Sequence, residues 1–176
     1  MHAPEPFRRQ LLEALPRLRR YARSLVHDAA TADDLVQGTV ERALTHWHQF
    51  DQRRDLLVWL LSIAHNAHHD ALRRGQRLQL LDPQDLAAAQ DAQARHGPRD
   101  PGLRLDLLAA FARLAPAHRE VLLLVGVEQL SYAECAEVLQ LPIGTVMSRL
   151  SRARAALRDA LDGAPAARPP ALRRVV

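Results

Sequence analysis

The chain has 176 residues, 48% of them hydrophobic and only 4% aromatic, with 7 glycines; this suits packed helices and excludes a turn-dense β-barrel or a Gly-rich phosphate loop. A single cysteine excludes an intramolecular disulfide framework and a cysteine-based zinc site. The 24 Lys and Arg residues outweigh 20 acids for a net charge of +4, and every one of the 24 is arginine, a side chain that stays protonated and forks onto phosphates and guanine edges.

From Phe7 to Arg77 the pattern is helical almost throughout. Leu11, Leu15, Leu18, Ala22 and Leu25 fall on one face of a first helix. Asp28 and Thr31 mark a break, and Thr31 or Asp33 can cap a second helix whose apolar face is Leu35, Val36, Thr39, Val40, Ala43 and Leu44. His46 to Asp55 reads as a loop that embeds Trp47 and Phe50. A third helix buries Leu56, Leu60, Ile63, Ala67 and Ala71, and its end is expected at Arg73-Arg74-Gly75, a basic last turn followed by a C-cap glycine. The opposite face carries His65, Asn66, His69, Asp70, Arg73, Arg74 and Arg77. Asn, His and Arg reach bases or phosphates, and Trp47, Phe50 and Trp59 are of a type that stacks on unpaired bases, although core packing is the commoner use of tryptophan.

Residues 78–104 change character, with X-Pro turns at Asp82-Pro83, Gly97-Pro98 and Asp100-Pro101 around an Ala/Gln/Asp stretch. They read as a flexible linker with a short helix at Asp85 to Gln93, spanning ~30 Å as a coil and at most ~90 Å extended. Leu107, Leu108, Phe111 and Leu114 then begin a second periodic block, and Pro116 opens a helix containing Val121, Leu122, Leu124 and Val125. Residues 163–176 form a basic, Pro-rich tail expected to be disordered.

The strongest local signal is SYAECAEVLQLPIGTVMSRLSRARAALR, from Ser131 to Arg158. A short helix, a turn at Gln140-Leu141-Pro142 and a long helix give helix-turn-helix spacing. Ser131 and Glu134 make a capping box, and Ala133, Ala136, Val146, Leu150, Ala153 and Leu157 are expected at the joint. Thr145, Ser148, Arg149 and Arg152 fall on the outer face of the long helix, which holds no acid from Ile143 to Arg158, the pattern of a major-groove reader. His65, His68 and His69 could hold a metal on one helical turn, but no cysteine lies near and Asp70 is the nearby carboxylate in sequence, so no metal or other cofactor is expected. Cys135 reads as a buried structural thiol. No Ser/His/Asp order, paired-carboxylate motif or phosphate loop offers a foothold for catalysis or a small-molecule substrate, so no catalytic residue is assigned.

Together the two blocks resemble a bacterial extracytoplasmic-function (ECF, group IV) RNA polymerase sigma factor, over Leu11 to Leu161. ADDLVQGTVERAL (Ala32 to Leu44) is similar to the family segment that docks on the polymerase β′ clamp helices, which implies polymerase contacts by Asp33, Asp34, Leu35 and Gln37. WLLSIAHNAHHDALRR (Trp59 to Arg74) is similar to the segment that opens and reads the −10 promoter element, implying DNA contacts by Asn66, His69, Asp70, Arg73, Arg74 and Arg77, with the His48–Asp55 loop holding an unstacked base. LPIGTVMSRLSRARAALR (Leu141 to Arg158) is similar to the −35 recognition helix, implying contacts by Thr145, Met147, Ser148, Arg149, Arg152 and Arg154. Departures from the family pattern are Gly38 where an acid is usual, Gln140 where the turn often has Gly, and Met147 where a polar reader is common.

The resemblance implies an all-α chain of two small helical domains, a sigma2-like bundle at 7–77 and a sigma4-like helix-turn-helix domain at 105–162, joined by the 78–104 linker and followed by the 163–176 tail. The implied partners are core RNA polymerase (β′ clamp helices and β subunit), promoter DNA and an anti-sigma factor. The implied role is initiation without enzymatic activity, in the cytoplasm and without membrane insertion. MHAPEPFRRQ lacks the apolar core of a signal peptide and no apolar run reaches the ~20 residues that span a bilayer. Two other readings compete: a helix-turn-helix repressor with a ligand-binding domain, for which the first block is too short and too polar, and a sigma-like decoy that sequesters an anti-sigma factor, a type that carries a receiver domain for which this chain has no room.

Overall fold

A computed structural model describes residues 3–26, 28–81 and 103–162, with the side chains of 76–81 and 103–106 left out. The linker helix expected at 85–93, most of the 78–104 linker and the 163–176 tail lie outside the described residues. The described residues are helical: α1 (Glu5–Leu25), α2 (Ala29–Thr45), a single 3₁₀ turn (Trp47–Gln49), α3 (Leu56–Leu81), α4 (Leu103–Arg113), α5 (Pro116–Leu122) running into a π turn (Leu123–Val127), α6 (Tyr132–Leu139) and α7 (Ile143–Asp162).

The first three helices form a bundle. Leu18, Tyr21 and Ala22 of α1, Ala32, Val36, Thr39 and Ala43 of α2, and Leu57, Leu60, Leu61 and Ala64 of α3 are all buried. Thr39 enters this core without an unpaired hydroxyl, because its Oγ1 donates to the Leu35 carbonyl at 2.7 Å. Asp28, not Thr31 or Asp33, caps α2: its carboxylate accepts from the Thr31 amide at 2.8 Å and the Thr31 hydroxyl at 2.9 Å. Thr31 is three residues inside the cap, where its amide is one of the free donors a cap must satisfy.

Helix α3 passes through Gly75 to Leu81 instead of ending there. Gly75 keeps a negative φ, so it does not adopt the left-handed backbone of a C-cap glycine. In the second block Leu107 and Leu108 are nearly half exposed, at 46% and 49%, and α4 turns Ala110 and Phe111 inward, with Leu114 buried just past its end. Ala133 is exposed, while Val146, Leu150 and Ala153 are buried and Ala136 and Leu157 half-buried at the α6–α7 joint.

The two halves do not stand apart. α6 packs on α3, α5 and the π turn pack on α1, and one apolar cluster runs through both halves. The π turn makes this possible. Its wider loop, closed by the Glu128 amide on the Leu123 carbonyl at 2.9 Å, adds a residue to the helical turn and brings Glu128 inward. The Glu128 side chain is fully buried and accepts from Nε of Arg17 at 2.8 Å and Nε of Arg20 at 2.6 Å, both on α1. Arg17 also donates to the Glu128 carbonyl. Burial pushes the Glu128 carboxyl up, but the bonds from Arg20 and Arg17 outweigh it and hold the group below the usual carboxylate range. On the other side of the joint Arg54 is ion-paired with Glu137.

Replacing Glu128 by Gln keeps the volume and removes the charge shared by two arginines. The variant is expected to lose about 1–3 kcal/mol in urea unfolding. Arg17→Ala and Arg20→Ala, whose side chains are 39% and 47% exposed, should each lose less, because solvent screens them. A carboxyl held below its unfolded value lends stability at higher pH and loses it on acidification. The wild-type advantage over Glu128→Gln should therefore fade as the pH drops below the ~4.3 of a free glutamate.

Candidate nucleic-acid interface

Helices α6 and α7 are set by their caps. The Ser131 hydroxyl accepts from the Glu134 amide at 3.2 Å, while the Glu134 carboxylate accepts from the Ser131 amide at 2.8 Å. The Ser131 hydroxyl also donates to the Glu134 carboxylate at 2.7 Å, and this bond first, with the one from the Ser131 amide, holds the Glu134 carboxyl below its ordinary value. The turn after α6 puts Gln140 in the left-handed region, φ 53°. There its amide and that of Leu141 return to the carbonyls at the end of α6, and Pro142 offers its carbonyl to Thr145 and Val146.

Along α7 the reader candidates divide into two faces. Arg149 is half-buried and turns toward α3, lining an open groove of about 810 Å³ with His65, Asn66, His69, Asp70 and Arg73. Met147, 51% exposed, and Arg154 lie on the other side with Tyr132 and Arg158, around a shallow depression. Thr145 is half-buried, and Ser148 and Arg152 are exposed. Arg152 is steadied by its own helix, donating to the Ser148 carbonyl at 3.3 Å. The outer face expected from the sequence as one surface thus splits, because Arg149 belongs to the joint between the halves.

On α3, Asn66 and His69 are half-buried at the groove, and Asp70, Arg73 and Arg74 are exposed; the side chain of Arg77 lies outside the described residues. On α2, Asp33 and Asp34 are exposed, Asp33 loosely paired with Arg19 at 3.2 Å, and Gln37 donates to the Glu41 carboxylate at 2.8 Å. Leu35 differs from these: it is half-buried and packed on the core. The aromatics of the His46–Asp55 stretch also pack inward. Phe50 lies 5.3 Å from Trp59, both face Phe7 at 5.9 and 6.3 Å, and Trp47 sits against the core. A small pocket of about 180 Å³ remains between Phe7, Gln10, Trp47, Phe50 and Gln52.

At the floor of the groove is a polar knot that sequence reasoning missed. Glu120 of α5 is buried, and its Oε1 accepts from the Tyr21 hydroxyl at 2.6 Å and lies 2.7 Å from Nδ1 of His65. Burial works against the Glu120 charge, yet the His65 and Tyr21 bonds leave its carboxyl below the ordinary range. Burial, with Glu120 alongside, drives the Tyr21 hydroxyl well above its usual value, so it remains a donor. His69 stacks at 4.2 Å from His65, with His68 at 5.6 Å from His69. Burial first, and their neighbouring imidazoles second, hold both His68 and His69 below the usual histidine value. The available signal was an acid, Glu120, beside the apolar Val121 and four residues before Leu124, which is buried in the π turn. Cys135 is buried, and burial pushes its thiol up to about 12, which keeps it protonated and inert.

Comparison with known proteins gives the family of both blocks. Residues 11–65 match the family described as the Sigma2 domain of PhyR, and residues 104–157 match Sigma-70, region 4. The chain is 34% identical to the ECF RNA polymerase sigma factor EcfG of Rhodopseudomonas palustris (strain TIE-1), over 93% of this chain and 91% of the relative. It is 31% identical to the RNA polymerase sigma factor CarQ of Myxococcus xanthus, over 83% of each. Among solved structures, the sigma factor RpoE from Bartonella quintana, crystallised with the anti-sigma factor NepR, superposes with a TM-score of 0.76 at 32% identity, covering 92% of this chain and 100% of that one.

Gln140 carries a Cβ in a backbone region that disfavours one. Gln140→Gly is expected to stabilise the protein by about 1 kcal/mol, read as a higher urea midpoint with an unchanged slope. No gain would mean that the Gln140 side chain compensates for the strain.

Proposed function

The chain belongs to the ECF RNA polymerase sigma factors, and from that premise we propose that residues 7–77 dock on core polymerase and open the −10 element, that 105–162 read the −35 element, and that 78–104 tether the two. As a sigma factor it binds core RNA polymerase and directs promoter-specific initiation; its family consists of transcription regulators. Among the described residues no helix is long and apolar enough to cross a membrane, and we place its action with polymerase in the cytoplasm. The relative from Bartonella quintana was crystallised with an anti-sigma factor, and we assign an anti-sigma partner to this chain as well.

The observation that supports these site roles most is α7. It is a capped recognition helix with no acid from Ile143 to Arg158, mounted behind a shorter helix that can cross the DNA backbone. Arg149, nearer the N-terminus of α7, is assigned to a base edge, and Arg154 and Arg158 to phosphates. Met147 has no hydrogen to donate and is assigned an apolar contact such as a thymine methyl. On α3, Asn66, His69, Asp70, Arg73, Arg74 and Arg77 take the −10 strand, and the pocket beside Trp47 and Phe50 is the candidate receiver of an unstacked base. On α2, Asp33, Asp34 and Gln37 offer the acidic polymerase-docking edge of a basic protein, and Leu35 acts behind it by fixing the helix on its core.

The docked arrangement imposes a condition on this role. Arg149 and the −10 candidates of α3 face one groove, while promoter elements roughly 25 base pairs apart lie ~85 Å from each other at ~3.4 Å per base pair. The halves must therefore part before both elements are bound, and the Glu120 and Glu128 contacts must open. A decoy that only captures an anti-sigma factor would not need the acid-free face of α7.

Double replacement of Asp33 and Asp34 by Arg should abolish co-purification with core polymerase and leave the circular-dichroism spectrum unchanged, since both groups are exposed and the Asp33–Arg19 pair is weak. Unchanged co-purification would overturn the docking assignment.

Holoenzyme selection on a library of −35 sequences separates the roles on α7. Arg149→Ala should cost about 1–3 kcal/mol on the preferred sequence and relax one position. Arg158→Ala should weaken all sequences alike and lower the salt slope by ~1. The reverse pattern would overturn the assignment.

A further inference from the structure

We propose that His65, His69 and Glu120 form a binding site for a borderline divalent transition metal, with zinc as the natural occupant, that staples α3 to α5 across the joint between the two halves. Each of the three offers one ligand atom, and these atoms lie within 4.8 Å of one another. His65 and His69 stand four residues apart on a helix, the spacing that puts two imidazoles on one face and lets both reach one ion. Their rings are already 4.2 Å apart. The third ligand is a carboxylate from another element, completing a two-histidine, one-carboxylate set that suits zinc.

The surroundings supply what a ligand set needs besides its donors. The Tyr21 hydroxyl donates to Glu120 Oε1 at 2.6 Å, which orients the carboxylate from outside the cluster in the way that partners of metal ligands do. The cluster lies at the floor of the groove, so an ion has access from solvent and a water can complete a tetrahedral set. Without an ion, His65 Nδ1 and Glu120 Oε1 are 2.7 Å apart in a hydrogen bond. Two ligand atoms at ~2.0–2.1 Å from a tetrahedral ion stand ~3.3 Å apart, so the pair opens by about the width a side-chain adjustment allows while the ion replaces the shared hydrogen. Cys135 plays no part, because it is buried with its thiol protonated.

The location gives the site its consequence. Two ligands come from the first block of the chain and one from the second, so the complete set exists only while the halves are docked. An ion that binds the docked form and not the open one shifts the population toward the docked form. On the reading that promoter binding needs the halves apart, zinc acts as a brake on initiation; the site itself does not depend on that reading.

The test uses the full-length protein, stripped with a chelator and titrated with cobalt(II) and then zinc(II). Cobalt should develop the visible absorption of a tetrahedral nitrogen–oxygen site at one equivalent, and zinc should displace it. Zinc should also raise the melting temperature. His69→Ala, at a half-buried position where truncation spares the core, should weaken binding at least about tenfold and abolish the thermal shift, while His68→Ala should keep both. Glu120→Gln should lose the tetrahedral spectrum. Absence of stoichiometric binding at micromolar metal, or equal binding by wild type and His69→Ala, overturns the proposal. Promoter binding by holoenzyme with and without zinc is measured separately. If zinc binds as described but leaves promoter occupancy unchanged, the ligand assignment stands and the brake is overturned.

Discussion

Two glutamates of the second block, buried against the first, hold this structure in its docked form. Glu128 enters through a π turn and satisfies two arginines of α1; Glu120 enters from α5 and meets Tyr21 and His65. An apolar joint alone would tolerate sliding, since burial is proportional to area and has no direction. A buried carboxylate is different. Its desolvation is offset only when particular donors sit within hydrogen-bond distance, so these two groups fix how α1, α3 and α5 meet.

That choice of fastening is compatible with the opening that the proposed role requires. Arg17 and Arg20 keep substantial solvent exposure, and Arg54 and Glu137 pair near the surface. Water can replace each partner when the halves separate, so these bonds are worth much less net than their number suggests. The continuous apolar cluster supplies the main attraction, and the polar contacts supply the register.

On the proposed roles, the same geometry sets recognition against closure. Arg149 on α7 and Asn66, Asp70 and Arg73 on α3 share a groove, so the docked form sets residues proposed for the two promoter elements side by side. Met147, Arg154 and Arg158 stay outside, around Tyr132. On the proposed roles, Met147, Arg154 and Arg158 can meet DNA while the halves are docked, whereas Arg149 faces the joint.

Much of this was legible in one dimension. Helix periodicity carries through from Leu11 to Leu25 and from Val146 to Ala153 because apolar faces repeat at the helical period, and Ser131 with Glu134 announces a cap because the free amides of a first turn need acceptors three residues away. The family followed from motifs whose residues lie close together in the chain, and so did the placement of the reader candidates on α2, α3 and α7. Local rules failed where the competing partner was distant. Gly75 looked like a stop and the helix ran on; Ala133 looked like part of the α6–α7 joint and is exposed. What only the tertiary structure decided is the pairing of Glu120 with His65 and of Glu128 with Arg17 and Arg20, across more than fifty and a hundred residues of chain. Nothing local marks such partners, because a charge on a helix is as stable in water as in a pair until packing removes the water.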